Sequence, residues 1–200
     1  LAEALLPLLS ENTDTAIAIA QDLLQTFENS YEKNWLTGMR AKTGLTANIS
    51  NDDGSEQKDR ELIEELLKTM ESCHADFTLT FLYLSHLSAQ ISDQDKQIRS
   101  LFSTPEKFDE WAVKWRKRLA TETLNDAQRQ SKMRSVNPSY IPRNHQVEAA
   151  IRAAEDQNDF SKFHELHHVL QEPYTQQAGK DDYMLPPKPE EIVQQTFCGT

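Results

Sequence analysis

His164-Glu165-Leu166-His167-His168 spells H-E-x-x-H, the spacing at which two histidines one helical turn apart bind zinc while the glutamate acts as general base. Such a site needs a third ligand and a cleft. The only carboxylates that follow are Glu172, Asp181, Asp182, Glu190 and Glu191, all near or in a polar tail. At about 100° per residue, Phe160, Phe163, Leu166 and Leu170 form a stripe that includes His167, whereas His164 and His168 fall toward the polar side. The spacing therefore favours a structural helix, and the expectation is no metal site.

Asn51-Asp52-Asp53-Gly54 resembles the start of a calcium loop, but aligning Gly54 with the turn glycine puts Ile49 at the first ligand position and Arg60 at the last. Neither side chain suits Ca²⁺, so a solvated turn is expected. The chain contains no G-x-G-x-x-G, G-K-[ST], H-R-D or D-F-G segment, and hence none of the recurring parts of an ATP site. It also lacks a G-x-S-x-G elbow. Two cysteines stand far apart, Cys73 and Cys198, which is not a disulfide framework. Cys73 sits near Met70 and Phe77 on an apolar helix side and reads as a small buried hydrophobe. Cys198, third from the last residue on a proline-containing tail, reads as an accessible thiol.

The elements that position these residues are helices. Ile17, Ala20, Leu24, Phe27 and Tyr31 recur every three or four residues and define a face that needs a partner. Leu62, Leu66 and Met70, with Ile63 and Leu67, define a second helix. Thr104-Pro105-Glu106 is a capped start with a first-turn proline, and Phe108, Trp111, Trp115 and Leu119 continue on one face of a helix expected to run toward Gln130. Trp111 and Trp115 with Arg116 and Arg118 then read as core plus rim. Asp76 to Leu87 fits both a strand alternation and a helix; the helical surroundings favour helix. Five glycines in all leave too little punctuation for a sheet protein. The predicted class is all-α, with irregular stretches at 44–57, 131–144 and 173–200, the last extended by Pro186, Pro187 and Pro189.

Between them, Asn137-Pro138-Ser139-Tyr140-Ile141-Pro142-Arg143-Asn144-His145 reads as a rigid, extended connection, because each proline fixes φ and pushes the residue before it out of the α region. Asn144 is placed to cap the following helix, and Arg143, with five donors, to hold loop carbonyls or a neighbouring carboxylate.

Composition sets the outer bounds. With 38% hydrophobic and 26% charged residues, 200 residues suit one ordinary domain with a real core. A formal net charge of -11 disfavours nucleic-acid and membrane-surface partners. No stretch approaches a membrane span, so a soluble protein in a reducing compartment is expected. The opening Leu1 to Leu9 has no initiator Met and is already helical in pattern, as in a piece of a longer protein.

The segment Met133 to His145 resembles a C-terminal signature of the selenoprotein O (YdiU-like) protein adenylyltransferases. The resemblance recurs at Met39 to Leu45, Asp76 to Phe81, Trp111 to Leu119, Pro173-Tyr174, Tyr183 to Pro187 and Cys198, in register along nearly the whole chain. It implies the C-terminal helical portion of a protein-kinase-like fold, a helical region over 1–172 and a tail over 173–200. The implied parent enzyme binds ATP in a flipped orientation and, with Mg or Mn, transfers AMP to Ser, Thr or Tyr hydroxyls of other proteins. The family's nucleotide-binding and metal-binding residues lie upstream of Leu1 on this resemblance, so no catalytic, cofactor or metal residue is assigned here. Implied partners are that catalytic half and the protein substrates; the implied location is bacterial cytoplasm, or the mitochondrion in a eukaryote.

Carried over by residue are the signature positions Asn137, Pro138, Tyr140, Arg143 and Asn144, and Cys198 as the terminal redox position. The family often ends Cys-Ser-Ser or Sec-Ser-Ser, whereas here the ending is Cys198-Gly199-Thr200, a departure that leaves the thiol in place but not the serines. Two other classes compete: a stand-alone helical interaction module, and an H-E-x-x-H zinc hydrolase.

Overall fold

A computed structural model describes residues 1–46 and 53–194, and the described residues form helices and no strand. The chain divides into two compact units, 1–40 and 41–200.

The first unit contains α1 (Ala2–Leu9) and most of α2 (Thr13–Thr43). Asn12 starts α2, its Oδ1 accepting the Thr15 amide at 2.9 Å. The apolar face expected to be covered is open: Ile17, Leu24, Phe27 and Tyr31 are 39, 53, 67 and 57% exposed, and only Ala16 and Ala20 of that region are buried.

The second unit opens with the last turn of α2. Gly44 follows it at φ +73°, the left-handed conformation that ends helices, and a Cβ there would lie 2.6 Å from Met133 Sδ. Helix α3 (Asp53–Ser72) begins earlier than the irregular 44–57 stretch implied, since Gly54 to Gln57 already have helical geometry. Leu62, Ile63, Leu66 and Met70 of α3 are buried, as are Phe108, Trp111, Ala112, Trp115 and Leu119 of α6 (Pro105–Leu119). The two helices pack on each other. Each indole N–H finds a carbonyl, Trp111 on Leu62 at 2.8 Å and Trp115 on Thr43 at 2.9 Å, so neither large ring buries an unsatisfied donor. Thr104 precedes α6 without a side-chain cap bond.

α6 does not continue to Gln130. It ends at Leu119, and a new helix, α7 (Asp126–Arg134), starts at Asn125. Asn125 and Gln128 form a reciprocal capping box, a local bond set that competes with helix continuation. The irregular stretch expected from Ser131 accordingly begins only at Ser135.

Helix α4 (Phe77–Leu84) settles the strand-or-helix ambiguity. Asp76 caps it, accepting the Leu79 amide at 2.8 Å, and Leu79, Thr80, Phe81, Leu82 and Leu84 are buried. Burial on nearly every side explains why no helical stripe shows in the sequence. The short α5 (Asp95–Arg99) follows, tied to α6 by Arg116, which donates to both oxygens of Asp95 at 2.8 and 2.9 Å.

α8 (Asn144–Gln157) and α9 (Ser161–Gln171) pack as a pair. The N-cap of α8 is Arg143, and Asn144 is the first helical residue; the expected Asn144 cap is not made. Beyond α9 the chain is not simply extended, for short 3₁₀ turns form at Asp181–Tyr183 and Pro189–Glu191. Met184 is buried with Leu79, Leu82, Tyr140 and Val169, so the described part of the tail shares the core of the second unit.

Candidate functional site

Asn137 is fully buried and hydrogen-bonded at every polar side-chain atom. Its Nδ2 donates to the Lys42 carbonyl at 2.9 Å and to Ser85 Oγ at 3.1 Å, while Oδ1 accepts from Lys42 Nζ at 3.3 Å. Lys42 Nζ also donates to the Val136 carbonyl at 3.0 Å and lies 5.7 Å from the Phe81 ring centre. The C-terminal ends of α2, α4 and α7 therefore meet at one amide and one ammonium. Lys42 lies in the last turn of α2 and its ammonium donates to a carbonyl just beyond the end of α7, where a cation is electrostatically favourable. Burial nonetheless holds the Lys42 amine below its ordinary value.

Pro138 leads into Ser139 and Tyr140, whose amides both donate to the Pro173 carbonyl, at 2.8 and 3.1 Å. The Tyr140 ring is buried, and its hydroxyl accepts the Gln177 amide at 2.8 Å. Arg143, after Pro142, turns to the Asp76 carboxylate, with Nη1 to Oδ2 at 2.8 Å and Nη2 to Oδ1 at 3.0 Å. Burial pushes the Asp76 carboxyl upward, but the Arg143 hydrogen bond and the Leu79 amide outweigh it and hold the group below its usual range. Asn137, Tyr140 and Arg143 thus reach three different elements and do not converge on one pocket. Sequence reasoning had no means to identify Lys42, Asp76 and Ser85 as their partners, since each lies more than 50 residues away.

In α9 the buried stripe is Leu166 and Val169; Phe160 and Phe163, expected inside, are 51 and 52% exposed. His167 is exposed as well, stacked on Phe163 at 6.2 Å. With Val147, Ala150 and Ile151 of α8 these rings line an open apolar cleft of about 420 Å³. His164 and His168 are exposed. Glu165 is engaged elsewhere, accepting from Lys180 Nζ at 2.6 Å. The same carboxylate and burial raise the Tyr183 phenol to about 12. Among the described residues no group of three His, Cys, Asp or Glu side chains is placed to hold a metal ion. Cys73 is buried, and Cys198 lies outside the described residues.

The α8/α9 cleft and the polar cleft beside α5 and α6 lack the groups that would cradle a nucleoside triphosphate. The α8/α9 cleft presents carbon. The polar cleft beside α5 and α6 holds Lys96, Arg99 and Arg116, but these are paired with Asp93 at 2.6 Å, Asp109 at 2.9 Å and Asp95 at 2.8 Å. Phosphates are normally met by backbone amides at a helix start and by available cations. No described helix is long and apolar enough to cross a membrane.

A model of the protein adenylyltransferase SelO family matches residues 1–171. The chain belongs to the SelO family. It is 45% identical over all 200 residues to the protein nucleotidyltransferase YdiU of Rhodopseudomonas palustris strain BisB5, and 44% identical over the same length to those of Bradyrhizobium sp. strain ORS 278 and Rhizobium meliloti strain 1021. The chain spans 39% of the length of each of these relatives. The segments that carry the SelO resemblance, far apart in sequence, hold one another: Lys42 meets Asn137, Asp76 meets Arg143, Trp115 meets Thr43 and Tyr140 meets Pro173.

Proposed function

We propose that these 200 residues form the C-terminal helical scaffold of a protein adenylyltransferase that moves AMP from ATP to Ser, Thr or Tyr hydroxyls of other proteins. The observation that carries this reading is the 45% identity, over the whole chain, to a protein named for nucleotidyl transfer. In this reading the fold is the C-terminal part of a protein-kinase-like enzyme of the bacterial cytoplasm. ATP and the divalent cation, Mg²⁺ or Mn²⁺, bind in the remainder of the polypeptide. The α8/α9 cleft is apolar and the cations of the α5/α6 cleft are ion-paired, which supports a nucleotide site elsewhere in the polypeptide, and no chemical step is assigned to these residues. Their task is to brace the catalytic half. The test is AMP incorporation into protein hydroxyls by a full-length polypeptide carrying this region, followed by mass spectrometry. Adducts on Ser, Thr or Tyr support the reading; a full-length protein that hydrolyses ATP without any protein adduct contradicts it.

Cys198 is proposed as a redox position acting on that activity and not on AMP itself. A cysteine thiol can exchange with a distant cysteine and constrain what lies between. Cys73, 2% exposed, is a poor partner, so the partner is placed in the catalytic half. Full-length Cys198→Ser should keep AMP transfer under reducing conditions and lose the difference between oxidised and reduced preparations. Loss of transfer under reducing conditions would instead place Cys198 in the catalytic machinery.

A further inference from the structure

One side of α2 carries an extended run of exposed apolar side chains. Ile17, Ala20, Leu24, Phe27 and Tyr31 follow a strict three-four-three-four spacing, the a/d pattern of a helix that packs along another helix. Four of these five side chains are more than a third exposed, and Phe27 and Tyr31 stack on each other at 6.3 Å. Leu23, at 54% exposure, widens the seam at one edge. A contiguous apolar strip along several helical turns is larger than a soluble surface ordinarily leaves open.

Charge identifies what covers it. Residues 1–31 contain Glu3, Glu11, Asp14, Asp22 and Glu28 and no Lys, Arg or His. In the heptad frame Asp14 and Glu28 flank the seam at e positions, where the partner's charge decides pairing. In a second copy Asp14 and Glu28 would face each other in an antiparallel pairing, which is repulsive, or uncharged flanking residues such as Leu23 in a parallel one, and in neither does a basic side chain meet them. The partner is therefore of opposite character. Three fifths of each relative lies outside the matched region, which supplies ample polypeptide to provide it.

We infer that the Ile17–Leu24–Phe27–Tyr31 face of α2 is the seam along which this region docks on the rest of its own polypeptide, against an apolar helix face flanked by Lys or Arg. This rests on the proposed function only in requiring that longer polypeptide; it requires no catalytic activity of it.

The test is thiol labelling at an introduced cysteine, read at that peptide by mass spectrometry, in the 200-residue chain and in the full-length polypeptide. Leu24→Cys should label about tenfold or more slowly in the full-length protein, as expected for a packed helix face that opens only transiently. Asn29→Cys, on the opposite side of α2, should label equally in both. Adding Glu28→Lys to Leu24→Cys should return the full-length rate toward that of the 200-residue chain, because the charge match is lost. Equal, fast labelling at position 24 in both proteins overturns the inference. So does slow labelling already in the 200-residue chain: if it deepens with concentration the occupant is a second copy, and if it does not, the face is covered within these residues. Where Leu24→Cys disturbs folding, amide exchange over residues 20–31 of the unmodified proteins gives the same comparison. AMP transfer is assayed separately, so a docked but inactive protein would contradict the proposed function and leave the seam intact.

Discussion

Arg143 and Asp76, 67 residues apart, join through two hydrogen bonds between guanidinium and carboxylate, and the same Asp76 caps α4 by accepting the Leu79 amide. One carboxylate thereby fixes the start of a buried helix and the end of the Asn137–Arg143 loop. The Arg143 and Asp76 side chains are only 7 and 19% exposed, so solvent screens the pair weakly.

Arg143→Ala should cost about 3–5 kcal/mol in urea unfolding, because it leaves a desolvated carboxylate without its cation. Arg143→Lys should recover only part of that, since an ammonium cannot make the paired geometry. Asp76→Asn separates the two duties: it keeps an oxygen for the cap and loses the charge. A double-mutant cycle giving no coupling between Arg143→Ala and Asp76→Asn would remove the pair from this account.

Trp115→Ala should cost about 3–5 kcal/mol, the range for deleting a buried aromatic ring. The ring is fully buried, bonds the Thr43 carbonyl and lies 5.6 Å from the Arg129 guanidinium. A loss below about 1 kcal/mol would show that the α6 face is not core.

His86 is held below its ordinary value by burial and by the Arg134 cation, and His145 is shifted the same way, chiefly by burial. A folded-state value below the unfolded one means that the unfolded chain binds more protons as pH falls. Stability from these groups is present above about pH 6.5 and is lost as pH drops through the depressed values. Urea midpoints at pH 7.5, 6.5 and 5.5 should decline, and His86→Gln should flatten the decline. An unchanged slope in the variant would assign the effect elsewhere. Asp76 adds a second loss below about pH 4, again because its folded value is depressed.

His164→Ala and His168→Ala should leave unfolding midpoints and metal content of the purified chain nearly unchanged. Both side chains are exposed, and Glu165 is engaged by Lys180. Stoichiometric zinc lost on either substitution would revive a hydrolase.

The all-helical class and the α6 face were legible because apolar period and capping residues act locally. Three errors have local causes too. The helix expected to reach Gln130 stops because Asn125 and Gln128 cap each other, a box that propensity alone outweighs poorly. Asn144 yields the cap position to Arg143, whose backbone is the extended one (φ −65°, ψ 134°), so that Asn144 falls one residue inside the helix. Phe160 and Phe163 follow the right period yet stay half exposed, because period shows that a face is apolar and not whether a neighbour covers it. The long-range partners of the signature loop, Lys42, Ser85, Asp76 and Pro173, were beyond any local rule.

The proposed function puts the nucleotide site in the remainder of the polypeptide, with this region as its scaffold. Isothermal calorimetry of the 200-residue chain with ATP and Mg²⁺ tests it most directly. No saturable heat is expected at micromolar to hundred-micromolar ATP, since the α8/α9 cleft is apolar and the cations of the α5/α6 cleft are already ion-paired. Saturable, stoichiometric binding of ATP in the micromolar range by this chain alone would contradict it.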